Sequence, residues 1–188
     1  MTIYTWVVSG CWVVFIIYWL ITAAGAKKTV SDFGFRSWLL IRVVLIVIVV
    51  IILDNQASKV WALQHLAATT PTLAPLGALL AVIGVGLAVW ARTDLGKNWG
   101  MPQSVKENPE LVTTGPYAYI RHPIYSGVLL AMIGTALVMS MLWLVIFVVA
   151  GGYFIYSAYQ EEKLMTKTFP DTYPAYKMRT KMLIPCIF

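Results

Sequence analysis

Hydrophobic positions along this chain gather into long charge-poor blocks separated by polar connections. The first block runs from about Ile3 to Ala26 and stops at Lys27-Lys28. A second begins near Arg36 and ends at Leu53, with a β-branched core, Val43 to Leu53, that would suit a strand in water. In lipid a lone strand leaves its backbone unpaired, so helix is the assignment. A third block covers about 74–92. Its Gly77, Ala81, Gly84 and Ala88 recur at helical spacing on one stripe, an arrangement that lets neighbouring helices approach closely. From Pro123 to Gln160 no charge interrupts 38 positions. One helix of that length would reach about 57 Å, against a hydrocarbon core of about 30 Å. The stretch therefore predicts a helical hairpin, about 123–140 and 142–160, turning near Ser140-Met141-Leu142 although neither glycine nor proline marks the turn.

These blocks predict an all-α integral membrane protein, a single membrane domain over 1–188 with about five transmembrane helices: 3–26, 36–53, 74–92, 123–140 and 142–160. An interfacial piece is expected around Trp61 to Leu66. Composition agrees: 60% of residues are hydrophobic and 12% charged, about half the charged share of soluble domains. The first block is long enough to span and lacks a basic start, so it reads as a span and not as a cleaved signal. Cys11 and Cys186 form neither a disulfide framework nor a metal-spaced cluster.

Net charge is +6, but the cations line loops beside apolar blocks, which points to lipid headgroups and topology and away from nucleic acid. Placing 26–35, 92–122 and 161–188 on one side gives that side every Lys and Arg except Lys59, with Arg42 snorkelling back to it. The positive-inside rule makes it the cytosolic side. The membrane would be the inner membrane in a prokaryote and the endoplasmic reticulum in a eukaryote.

Two polar knots stand on that side. In Arg121-His122-Pro123-Ile124-Tyr125, Pro123 fits the first turn of a helix, free N–H groups there favour an anion, and Tyr125 lies one turn above His122. An aromatic belt also accounts for Tyr117, Tyr119 and Tyr125 taken singly. The second knot is Glu161-Glu162. Adjacent carboxylates at a span edge, near a helix C-terminus, call for a cation. The candidates are Arg92, Arg121 or a cationic ligand, and Tyr153, Tyr156 and Tyr159 would add cation–π attraction. His65 and His122 are the only histidines, so the sequence holds no metal constellation.

The run Leu111-Val112-Thr113-Thr114-Gly115-Pro116-Tyr117, followed by Arg121-His122-Pro123-Ile124-Tyr125-Ser126-Gly127 and then by Glu161-Glu162, Leu164, Phe169, Tyr173, Tyr176 and Pro185, resembles the isoprenylcysteine carboxyl methyltransferase family of integral membrane methyltransferases. The resemblance covers about Trp90 to Pro185. It implies S-adenosylmethionine as cofactor, bound by Leu111, Val112, Gly115, Tyr117, Arg121, His122, Tyr125, Glu161 and Glu162 in a pocket built from segments 92–122 and 161–188. It implies a lipid-tailed small molecule or prenylated peptide as substrate, entering sideways from the membrane. Arg92 looks like the family arginine that orients the substrate carboxylate, and with Glu161 and Glu162 makes up the implied catalytic set. Tyr156 and Ser157 stand where the family often has a further arginine. A carboxylate acceptor is ionised at pH 7 and needs no general base, so positioning and desolvation carry the reaction. A phospholipid amine N-methyltransferase is the alternative within methyl transfer, and an NADPH-dependent sterol or enone reductase the alternative outside it.

Overall fold

Charge-free apolar sequence forms helix at each block that the computed structural model describes, namely in residues 2–23, 25, 27, 29–32, 71–100 and 104–188. The expected second span at 36–53 and the interfacial piece at 61–66 lie outside the described residues. The helices are α1 (Ile3–Ala23), α2 (Ala74–Leu95), α3 (Pro123–Val138), α4 (Trp143–Thr168) and a short α5 (Tyr173–Arg179). α1, the stretch Pro71–Asn98 that contains α2, and α4 are each long and apolar enough to cross a membrane, and α3 is a shorter apolar helix. The chain is an all-α integral membrane protein, with one small addition: β1 (Thr29–Asp32) pairs antiparallel with β2 (Ser104–Lys106).

The ends of these helices follow from local chemistry. Proline lies in the first turn of α2, α3 and α5, where its missing N–H costs nothing. Gly96 stops α2 at φ 52°, a left-handed conformation that suits a residue without a Cβ, and its N–H returns to the carbonyls of Arg92 and Thr93. Between α3 and α4 the chain reverses over Met139 to Leu142, where the Leu142 N–H donates to Ser140 Oγ at 3.2 Å. A side-chain hydroxyl supplies the turn that glycine or proline would otherwise mark.

The tightest packing joins α2 to α3. A Cβ placed on Gly84 would stand 2.5 Å from Ala131 N and Gly127 O, and one on Gly77 would stand 2.7 Å from Gly134 O. The two backbones therefore touch, as the small-residue stripe predicted. α1 packs Val8 against Ala78, Ala81 and Val138. Trp12 Nε1 donates to Thr135 Oγ1 at 2.9 Å, and that hydroxyl donates to the Ala131 carbonyl, so an indole inside the span has its partner. Outward faces of α1, α2 and α4 expose Leu20, Ile83 and Val148 among others, as lipid-facing surfaces do.

α4 sets the depth of the functional cluster. Glu161 lies about 27 Å along the helix from Trp143 at 1.5 Å per residue, close to one hydrocarbon thickness. The helix then runs on to Thr168. Glu161 and Glu162 are thus two turns inside a helix that projects past the apolar layer, and not at its C-terminus as the apolar pattern implied.

Candidate functional site

The 3-10 turn Gly115–Ala118, the Arg121-His122 dipeptide, the projecting end of α4 and the chain after α5 converge at one end of the bundle. Backbone pairing brings them together. Ile120 forms a parallel bridge with Lys181, the Arg121 N–H donates to the Lys181 carbonyl at 2.8 Å, and the His122 N–H donates to the Met182 carbonyl at 3.1 Å. Ser126 Oγ donates to the Leu183 carbonyl at 2.6 Å, and Tyr176 donates its hydroxyl to the Tyr117 carbonyl at 2.7 Å. The backbone N–H groups of Arg121 and His122, just before the helix start expected to favour an anion, are thus spent on these carbonyls.

The two glutamates occupy different environments. Glu162 is 2% exposed. Its Oε1 accepts from Arg121 Nε at 2.6 Å, and Lys177 Nζ approaches Oε2 to 2.7 Å as an ion pair outside hydrogen-bonding angles. His122 Nε2 stands 3.7 Å from Oε1. Arg121 also donates to the carbonyls of Lys177 and Thr180, which fastens α5 to the knot. Burying a carboxylate requires this density of partners, since an unpaired one costs several kcal/mol.

Glu161 is 23% exposed at its side chain, and among the described residues it pairs with His122, whose Nδ1 stands 3.5 Å from Oε2. Its Oε1 accepts from the Tyr125 hydroxyl and from Ser157 Oγ, the latter at 3.0 Å. The rings of His122, Tyr125 and Phe154 stack almost parallel, with centroids 5.4 Å and 4.5 Å apart. A partly open carboxylate thus stands at the edge of an aromatic stack. Burial opposes charge on His122, but the Glu161 and Glu162 carboxylates beside its ring outweigh it and raise its pKa above the ordinary value. Burial, with the Tyr176 and Glu161 charges adding and Arg92 opposing, raises the Tyr117 phenol, which stays protonated. Tyr176 is pushed up to about 12, chiefly by burial, with the Arg121 and Arg179 charges opposing.

Arg92, weighed as a partner for the glutamates, is bound elsewhere. It is 2% exposed; Nη1 donates to the Gly96 carbonyl and Nη2 to the Thr22 carbonyl, each at 2.7 Å. Its guanidinium lies 4.7 Å from the centre of the Trp99 ring. It joins the end of α1 to the end of α2, while its Nε finds no hydrogen-bond acceptor among the described residues. Gly115 sits beneath Asp94: at φ 55° it is left-handed, and the Asp94 carboxylate fills the space a Cβ would take. Leu111 and Val112 are half-buried in the extended stretch before that turn.

Among the sequence-derived site residues, the structure brings together Arg121, His122, Tyr125, Glu161 and Glu162, with Tyr117 adjoining. Sequence reasoning missed Lys177 as a partner of Glu162, Ser157 as a donor to Glu161, and Phe154 in the stack. Ser157 lies four residues before Glu161 on α4, so helical spacing would have put them side by side.

Residues 73–172, more than half of the chain, match the phospholipid methyltransferase family. Two curated relatives are a nickel-cobalt-cadmium resistance protein, NccN, of Alcaligenes xylosoxydans xylosoxydans, and a cobalt-zinc-cadmium resistance protein, CzcN, of Cupriavidus metallidurans. The first is 25% identical over 77% of this chain and 62% of its own length. The second is 29% identical over 60% of this chain and 51% of its own length. The chain thus spans between one half and two thirds of the curated relatives it matches.

Proposed function

The chain belongs to the phospholipid methyltransferase family, into which its isoprenylcysteine carboxyl methyltransferase resemblance also falls, and we propose that it transfers a methyl group from S-adenosylmethionine to the polar head of a lipid-tailed acceptor in the membrane. The single observation behind this reading is the meeting of the His122 turn with the Glu161-Glu162 pair at the end of a membrane helix, with His122 Nδ1 3.5 Å from Glu161 Oε2. The donor set suits the cofactor. A carboxylate beside stacked aromatic rings attracts a sulfonium or ammonium cation.

The cofactor supplies an electrophilic methyl on a positively charged sulfur. Bound there, it would give that methyl to the acceptor's lone pair with cleavage of its carbon–sulfur bond and would depart as a neutral thioether. In this reading Glu161 holds the cationic part of the cofactor, Tyr125 and Ser157 fix the Glu161 rotamer, and His122 closes the stack. Glu162, Arg121 and Lys177 hold the turn and the tail in place. Tyr117 and the stretch from Leu111 to Gly115 make the adjoining wall. Site and cofactor face the cytosol, in keeping with the distribution of cations.

An isoprenylcysteine carboxylate is the acceptor the motif resemblance favours, with Arg92 as its anchor through the unpartnered Nε. One observation favours a phospholipid amine instead. Arg121 and Lys177 are already bound to Glu162, so neither is left to hold an acceptor carboxylate beside the knot. Calorimetric titration in detergent is expected to show S-adenosylhomocysteine binding and no NADPH binding; the reverse sinks the methyltransferase reading. Radiolabelled methyl transfer to a prenylcysteine and to phosphatidylethanolamine then chooses the acceptor, since a carboxyl product is a base-labile ester and an N-methyl product is not.

A further inference from the structure

The strongest feature outside the knot is the chain after Lys181. Leu183 and Ile184 donate their N–H groups to the Phe188 carbonyl at 2.7 Å and 2.6 Å, and Phe188 donates back to the Ile184 carbonyl at 3.0 Å. The last six residues therefore close into a compact turn, with Cys186 left-handed at φ 65°. Its inner residue, Leu183, is buried, but Ile184, Ile187 and Phe188 point outward, and Ile187 is 76% exposed. Tyr119, 68% exposed, is joined to this region by the Lys181 N–H to Tyr119 carbonyl bond at 3.3 Å, and Lys181 is itself exposed. Apolar side chains closed into one turn beside a phenol and a lysine have the composition of a membrane-interface element.

Position identifies what covers it. The turn is fastened to the first residues of α3 through Met182 to His122 and Leu183 to Ser126. α3 is an apolar helix that starts at Pro123, so the turn stands at the level where that helix enters the hydrocarbon. Lys181 and Arg179 beside it match anionic headgroups in charge. We propose that residues 184–188, with Tyr119 and Lys181, form a foot that lies in the headgroup layer of an anionic bilayer. The carbonyls of Lys181, Met182 and Leu183 receive the bonds that hold Arg121, His122 and Ser126, so seating the foot also braces the knot. This inference does not depend on the methyltransferase reading.

The full chain is labelled at Cys186 with a water-soluble, environment-sensitive maleimide dye. Cys186→Ala is the labelling blank, because the other cysteine, Cys11, lies within the α1 span. The labelled protein is placed in nanodiscs of phosphatidylcholine alone or mixed with phosphatidylglycerol. The expected result is blue-shifted emission, stronger in the anionic discs, quenched by nitroxide lipids of headgroup depth and protected from iodide. Lys181→Glu is expected to remove the difference between the two lipids. Water-like emission in both discs overturns the proposal, and so does blue-shifted emission that the nitroxide lipids leave unquenched, which would put the foot against protein. Equal shifts in the two lipids overturn its anionic part. On the unlabelled protein, hydrogen exchange over 181–188 is expected to slow in anionic discs relative to phosphatidylcholine discs; unchanged exchange counts against the foot equally.

Discussion

Arg92 and Arg121 sit at the same end of two touching helices, and both bury their guanidinium groups, yet they satisfy them differently. Arg121 meets a carboxylate, with two backbone carbonyls completing its bonds. Arg92 meets carbonyls and an indole face, and no carboxylate forms an ion pair with it among the described residues. The first arrangement neutralises charge with charge and ties α4, α5 and the turn before α3 to one another. The second neutralises charge with dipoles and keeps a positive field beside Tyr117. Burial and charge alike do not define a role; the kind of acceptor does.

The comparison breaks first at Glu162. Glu162→Ala strands Arg121 and is expected to destabilise the protein by about 3–5 kcal/mol, read as a fall in the thermal midpoint in detergent. Replacing both partners, Arg121→Met with Glu162→Leu, is expected to recover most of that loss. A midpoint unchanged by Glu162→Ala would mean that the pair holds nothing together.

Arg92→Lys is expected to cost less, about 1–3 kcal/mol, because one ammonium cannot serve the Thr22 and Gly96 carbonyls together and still cover Trp99. Combined with Glu162→Gln, it is expected to add within about 0.5 kcal/mol, as independent sites do. A larger coupling would show that the two arginines share one network.

His122 sharpens the contrast through pH. Its folded pKa is raised above the ordinary value of 6.5, so the stability from its proton is complete below that value and is lost as pH rises through the folded pKa. The advantage of the wild type over His122→Gln in thermal midpoint is therefore expected to shrink on going from mildly acidic to alkaline buffer. An advantage that grew with pH would reverse the assignment of charge.

The smallest expected stability effect belongs to Glu161→Gln, under about 1 kcal/mol, because the amide keeps an oxygen for Tyr125 and Ser157. Affinity for S-adenosylmethionine, which carries the cation proposed to sit against Glu161, is expected to fall by about tenfold or more in that variant. Unchanged affinity would remove Glu161 from the cofactor site.

The sequence made some of this legible. Long apolar blocks indicated membrane helices, because lipid leaves the backbone few other ways to pair its polar groups. The Gly77–Ala88 stripe indicated a close helix contact, because spacing alone puts those residues on one face. Arg121 as a partner for the glutamates was one of three candidates. Lys177 was out of reach, because it arrives on a seven-residue helix after the chain reverses past Phe169, and no periodicity encodes that return. The β1–β2 ribbon was hidden because its short segments carry no apolar alternation. Arg92 stood beside Arg121 as a candidate partner of the acids because nothing local distinguishes an arginine held by carbonyls from one held by carboxylates.

The contact between α2 and α3 also constrains traffic. With Gly84 set against the backbone of Gly127 and Ala131, the seam between these helices has no width for a hydrocarbon chain. On the proposed reading, a lipid-tailed acceptor would have to enter along another flank of the bundle, with the glycine-lined seam as the fixed wall beside its path.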